Sequence, residues 1–379
     1  MPPRKTPARA ERGRGPVKAK AAHITLAERI AAAVADGTFF YSFEYSPARD
    51  PRPEDLHARV YRMYEDLRPL WVDITWGFGD VGLRSIEASR HIQKNLGLPV
   101  LMHLICTDMT RKDLDCALDA ALMAGVRSIL VLRGFTQAGY DRWQRCDEGC
   151  DHADELVSYI RRRHGTHFCL GVAGFPDTHP ESRADPRQPA TADERAEDVR
   201  RLKGKVDAGA EFIICQFCFD IAVWHSFLRR CRAAGIRCPI LPGVQPLTEH
   251  ASARLLANAW SVQIPRPIGD HLRELELAAD AEGAREYGCE TVAALCDAIL
   301  HDDGGSSGTG AELSEGYALH FFVYDAEHEV RALLERLEHH HGWRRGCKPP
   351  AHLSSGHAHR PSNTGVQGAV KMLSASTYS

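Results

Sequence analysis

The sequence predicts an α/β fold: a (β/α)8 TIM barrel with extra helices before the eighth strand and disordered termini. Three features predict it. Eight short apolar runs occur in the 379 residues, each is followed by a segment of helical spacing, and no GxGxxG-type phosphate turn follows the first run. Alternation of this kind over about 300 residues is the pattern of a closed barrel. The missing glycine-rich turn argues against the other candidate, a doubly wound open sheet.

The elements follow in order. FFYSFEY at 39–45 is the first strand, with helical spacing over 54–67. LWVDIT at 70–75 precedes the helix 84–96, and VLMHLI at 100–105 precedes 111–124. SILVL at 128–132 is followed by 151–164, and FCLGVA at 168–173 by 193–208. EFIICQ at 211–216 leads to 220–234, PILP at 239–242 to 249–260, and ALHFFVY at 318–324 to 327–338. The span 266–302 supplies the extra helices, and DDGGSSGTG at 302–310 is a flexible inserted loop. A second inserted loop lies at 183–193, after strand five.

Three domains are expected. Residues 1–22 hold seven Lys/Arg, one Glu and four Pro without apolar periodicity, and read as a disordered basic arm. Residues 23–341 form the barrel, and 342–379, rich in Ser, Gly, His and Pro, a disordered tail. The HHH at 339–341 reads as the solvated end of a helix.

Composition narrows the function classes. The chain is 44% hydrophobic and 26% charged, ordinary for a globular protein, and its net charge of −3 argues against a general nucleic-acid binder. No run of about 18 apolar residues occurs, so no membrane-spanning helix is expected. The 12 Cys form no disulfide framework, which points to a reducing compartment, the cytoplasm, with organellar targeting by the basic arm left open. Cys215 and Cys218 make a CxxC inside an apolar run and read as buried small hydrophobes.

Chemistry in such a barrel sits at the C-terminal ends of the strands. Those ends carry Glu44, Asp73 and Thr75, His103, Arg133, Phe175 and His179, Gln216, and His320 with Tyr324. A lone His103 would read as a satisfied core histidine, and a lone Glu44 as a salt bridge to Arg133. Burying polar groups unpaired costs on the order of 1–3 kcal/mol each, so polar residues at the same end of most strands read as a site. The set holds an acid for proton transfer and hydrogen-bonding groups for a large polar ligand. No metal is expected, because no Cys or His cluster has ligand spacing. Aromatic residues nearby, Tyr45, Trp76, Phe135, Phe175 and Phe217, suit a planar ring system.

Taken together, FFYSFEYSPAR, VDITWG, MHLICTD, ILVLRG, VAGFPDTHPE, LKGKVDAGAEFIICQFCFD, AGIRCPILPGV and LHFF resemble the catalytic domain of the methylenetetrahydrofolate reductase family, in order over residues 38–338. The resemblance implies a (β/α)8 barrel that binds FAD. It implies NADH or NADPH as hydride donor and reduction of 5,10-methylenetetrahydrofolate to 5-methyltetrahydrofolate. Glu44 matches the general acid, which protonates the folate nitrogen and opens the five-membered ring. Its pKa is expected to be raised in a flavin-covered pocket.

Thr75, His103, Leu132, Arg133, Gly134, Phe135, Ala153, Phe175, His179, Asp198 and Lys205 match cofactor-binding positions. Arg133 is expected to pair with the FAD phosphates or ribityl chain. Gln216 and Phe135 fall at substrate-binding positions. A homo-oligomer, or pairing with a related subunit, is expected. Inhibition by S-adenosylmethionine is not.

Two positions depart from the family. Phe135 stands where the family has Asp after Leu-Arg-Gly, and Ala326 stands where it has a folate-binding Arg. Losing such electrostatic stabilisation typically costs about 2.7–4 kcal/mol, or 10²–10³ in rate. Asp108 and Asp325 are candidates to supply the missing charge. The alternatives to a working reductase are an FAD-binding paralogue with another acceptor and a catalytically impaired partner subunit.

Overall fold

The computed structural model describes residues 24–348, apart from 49, 51, 78–79, 135, 137–142, 147, 186–187, 261 and 302–316. The basic arm, the loop at 302–310, Phe135 and the tail from 349 therefore lie outside the described residues.

Eight parallel strands close into a barrel in chain order. They are β1 Phe40–Tyr45, β2 Trp71–Ile74, β3 Val100–Leu104, β4 Ser128–Val131, β5 Cys169–Gly174, β6 Phe212–Phe217, β7 Ile240–Val244 and β8 Ala318–Phe322. The eight expected helices are present as α2 Pro53–Leu67, α3 Asp80–Leu96, α4 Arg111–Met123, α5 Ala153–His164, α6 Ala192–Asp207, α7 Ile221–Ala233, α8 His250–Trp260 and α11 Glu327–His341. The insertion before β8 is α9 Arg266–Leu277 and α10 Ala281–Leu300. No described helix is long and apolar enough to cross a membrane.

One helix, α1 Leu26–Asp36, lies ahead of the predicted elements. Thr25 and Glu28 form a capping box at its start, satisfying N–H groups that a helix leaves unpaired. Leu26 and Ile30 are one turn apart and share a face. They pack with Phe40, Trp71, Leu101, Leu130, Cys169, Phe212, Ile214, Leu241 and Ala318, so every strand contributes and β6 contributes two residues. That apolar layer is the barrel floor.

Side chains alternate along a strand, so the next inward position lies two residues further on. On β1 the outward residues Tyr41, Phe43 and Tyr45 pack with Leu56, Val60 and Met63 of α2, while Ser42 and Glu44 face inward. Register places Ser42 beside Trp71 and His320, and Glu44 beside Asp73. The ring closes tightly at Gly243. A Cβ there would stand 2.2 Å from the Cys215 carbonyl oxygen and 2.8 Å from the Phe322 ring, so only glycine fits.

The packed chain also runs past residue 341, where the sequence reading begins the tail. Trp343 is buried against Phe39 and Tyr317, and its Nε1 donates to Asp297 Oδ1 at 2.7 Å. Phe39 N–H donates to Cys347 O at 2.9 Å and Gly346 N–H donates to Phe39 O at 2.7 Å. His339 and His340 are exposed, but His341 turns in to Asp297 at 3.0 Å. Two imidazoles, from His301 and His341, hold the Asp297 carboxyl well below the usual range against the upward push of burial. All twelve cysteines are free thiols, and Cys215 and Cys218 are buried in the core.

Candidate active site

Above the floor the interior becomes polar. Glu44 is buried, and Asp73 and His320 are wholly inaccessible. Glu44 Oε1 accepts from the Tyr324 hydroxyl at 2.7 Å. Glu44 Oε2 lies 3.3 Å from His320 Nε2 and 3.6 Å from His103 Nε2. His103 Nε2 also meets Asp73 Oδ2 at 3.2 Å, and Asp73 Oδ1 accepts from Trp71 Nε1 at 2.7 Å. His320 Nδ1 is 2.8 Å from Ser42 Oγ. Six strand-borne side chains and one residue past β8 thus satisfy one another where unpaired polar groups would be costly.

The charges in this network correct one expectation. Burial pushes the Glu44 carboxyl upward, but the charge of His103 and the donors His320 and Tyr324 outweigh it, and the pKa is lowered rather than raised. Burial pushes His103 downward, but Glu44 and Asp73 outweigh it and its pKa is raised. Each shift favours the charged form of its group, a carboxylate facing an imidazolium. One donor atom each from Glu44, Asp73 and His320 lies within 4.8 Å of the others, but these atoms already bond neighbouring groups.

A second cluster lies beyond β4 and β5. Arg133 makes a two-pronged ion pair with Glu181, both contacts at 2.5 Å, and its guanidinium stands 5.1 Å over the Trp143 ring. Arg133 thus pairs with Glu181 rather than with Glu44. The following turn needs Gly134, whose φ of +99° is left-handed and whose missing Cβ would fall 2.5 Å from Thr107 Oγ1. Lys205 Nζ donates to Ala173 O at 3.0 Å and stands 5.8 Å over Phe175, whose ring meets His179 edge-on at 4.6 Å. Asp198 Oδ1 accepts from the His179 N–H at 3.3 Å.

Burial, then the charges of Arg133 and Lys205, push His179 down to about 3. Burial lowers Lys205 despite Asp198 and Asp154, with Arg133 adding to the depression. Burial raises Asp198. The cluster sets the cations Arg133 and Lys205 around Phe175 and His179, and Glu181 offers Arg133 the two oxygens that a phosphate would offer. An anion-bearing cofactor such as FAD fits this donor set.

The remaining predicted residues are placed less tellingly. Thr75 is half-buried, its N–H on Tyr45 O at 3.0 Å and its carbonyl accepting from Ser85 at 2.7 Å. Leu132 packs at the edge of the floor layer, and Ala153 is the buried first residue of α5. Gln216 Oε1 accepts from its neighbour's N–H at 3.1 Å. Asp325 is exposed and pairs with Arg59 at 3.7 Å, and Asp108 is exposed.

The sequence reading did not single out Ser42 or Glu181. Ser42 shares a face with Glu44 by the two-residue period of a strand, a usable signal. Glu181 pairs with a residue 48 positions away, and no local pattern announces that.

A family model described as methylenetetrahydrofolate reductase matches residues 29–338. The chain belongs to the methylenetetrahydrofolate reductase family. Methylenetetrahydrofolate reductase 2 of Saccharomyces cerevisiae is 33% identical over 302 residues, 78% of this chain and 46% of that protein. Methylenetetrahydrofolate reductase (NADH) 1 of Zea mays is 33% identical over 279 residues, 73% of this chain and 46% of that protein. The chain thus spans about half the length of these members of the family. A Clostridium thermocellum protein described as binding two copies of 5-methyl-5,6,7,8-tetrahydrofolic acid has a TM-score of 0.52 at 12% identity, covering 81% of this chain and 96% of that one, and shares the fold.

Proposed function

We propose that the chain is a flavin-dependent reductase that converts 5,10-methylenetetrahydrofolate to 5-methyltetrahydrofolate with NADH or NADPH, and that Glu44 is its general acid. The observation that carries this is Glu44 itself: the carboxylate held in the buried polar network at the end of the barrel where such folds do chemistry. When bound, FAD supplies the hydride relay between nicotinamide and folate.

The chain's own part is binding and proton supply. Arg133 and Lys205 hold the cofactor's anionic portion, Arg133 exchanging the Glu181 carboxylate for phosphate oxygens. Phe175 presents an apolar ring beside them. Glu44 Oε2 faces His103 Nε2 at 3.6 Å, the carboxyl lowered and the imidazole raised, so a proton held by His103 can pass to the carboxylate. A ligand that dries the site disfavours the separated charges and favours the same proton on Glu44. Glu44 then gives that proton to the folate nitrogen as the ring carbon–nitrogen bond breaks.

Phe135 and Ala326 favour a second reading, an FAD protein with a different acceptor, because both folate-binding charges of the family are absent. The two half-reactions separate the readings. The purified protein with FAD is reduced anaerobically by NADH or NADPH and then mixed with methylenetetrahydrofolate. Flavin reoxidation with formation of methyltetrahydrofolate supports the folate reading. Reduction without folate-dependent reoxidation supports the second, and absence of FAD binding removes both.

A further inference from the structure

Tyr324 leaves the end of β8 with φ of +41°, a left-handed conformation that a bulky side chain seldom adopts. Its backbone is held on both sides. Its N–H donates to Glu44 O at 3.3 Å, and its carbonyl accepts from Arg59 Nη2. Arg59 is itself fixed by Asp50 at 2.8 Å and Glu327 at 2.6 Å. A strained residue held by several partners points to a use for the strain. Here the strain aims a phenol at Glu44 Oε1, 2.7 Å away, with the ring 6.0 Å from that of Phe322.

We propose that Tyr324 is a positioning residue for Glu44: its phenol pins Oε1, leaves Oε2 to the two imidazoles, and favours the ionised carboxylate. The groups that face Glu44 are His320 and Tyr324 from β8 and its end, His103 from β3 and Asp73 from β2. Tyr324 is the one of these that lies outside a strand. Burial keeps its phenol protonated, so it remains a donor across the working pH range. It does not give up a proton. It sets how readily Glu44 holds one.

The catalytic consequence rests on the reading of Glu44 as proton donor, but the positioning role can be measured without turnover. In Tyr324→Phe the ring stays and one hydrogen bond to the carboxylate is lost, so the Glu44 carboxyl titrates about one pH unit higher. The readout is the ¹³C shift of the Glu44 carboxyl in glutamate-labelled protein, assigned by its loss in Glu44→Gln. In turnover, the high-pH limb of folate reduction moves up by the same amount, while flavin reduction by nicotinamide keeps its profile. Should Tyr324→Phe fail to fold, Arg59→Lys, which loosens the carbonyl clamp and keeps the phenol, shifts the titration in the same direction. A shifted titration supports the proposal even if the wild type reduces no folate, an outcome that removes only the folate reading. An unchanged titration in a folded variant overturns it.

Discussion

The floor and the mouth of this barrel are built from the same strands, one inward step apart, and they are sealed by opposite means. On β2 the floor residue is Trp71 and the next inward residue is Asp73; on β3 they are Leu101 and His103; on β8 they are Ala318 and His320. The floor is closed by α1 and held mainly by apolar contact, with the Trp71 indole N–H donating up to Asp73. The mouth is polar and buried, and each of its groups needs a partner. Moving two residues along a strand therefore changes the role of a side chain from sealing to chemistry. Damage at the floor end should appear as lost stability, and damage at the mouth as lost binding or rate.

That contrast can be tested from its strongest consequence downward. Trp343→Ala removes a buried indole beside Phe39 and its bond to Asp297, and is expected to cost about 3–5 kcal/mol in urea unfolding. The flavin affinity of the fraction that remains folded should be unchanged; a matching loss of affinity would break the separation of the two ends.

Arg133→Ala tests the other end. It removes a two-pronged, charge-assisted contact worth about 1.5–3 kcal/mol, so FAD should bind roughly ten- to a hundredfold more weakly, read by flavin fluorescence titration, with little change in unfolding. A large loss of stability instead would make the Arg133–Glu181 pair structural.

The Asp297 latch gives a smaller, pH-dependent effect. Its carboxyl titrates lower when folded, so its contribution is fully present above the unfolded value of about 3.9 and is lost as pH falls through the depressed folded value. Wild type should therefore exceed Asp297→Asn by about 1–2 kcal/mol near neutrality, with the gap closing on acidification. A gap independent of pH would mean that the carboxylate's charge is not what holds the latch.

Much of this was legible in the sequence, for a physical reason. Strand order and the polar strand ends could be read because an apolar run interrupted by Glu44, Asp73 or His103 departs from what burial alone would select. The α1 helix carries its own signal, the Thr25–Glu28 capping box followed by Leu26 and Ile30 on one face, but it lies ahead of the alternating pattern. Trp343 is hidden in a stretch whose composition reads as a tail. The direction of the Glu44 pKa was not readable, since it depends on His103, His320 and Tyr324 meeting from separate parts of the chain. The hold on Tyr324 depends on a backbone angle and on Arg59, which no spacing rule connects.

The most direct test of the account separates the two half-reactions in Glu44→Gln. The amide keeps the shape and part of the hydrogen bonding but cannot deliver the proton. Reduction of bound flavin by NADH or NADPH should proceed as in the wild type, and its reoxidation by methylenetetrahydrofolate should slow by about 10²–10⁴. Reoxidation at the wild-type rate would show that Glu44 is not the acid, and that the buried polar network serves the barrel's structure alone.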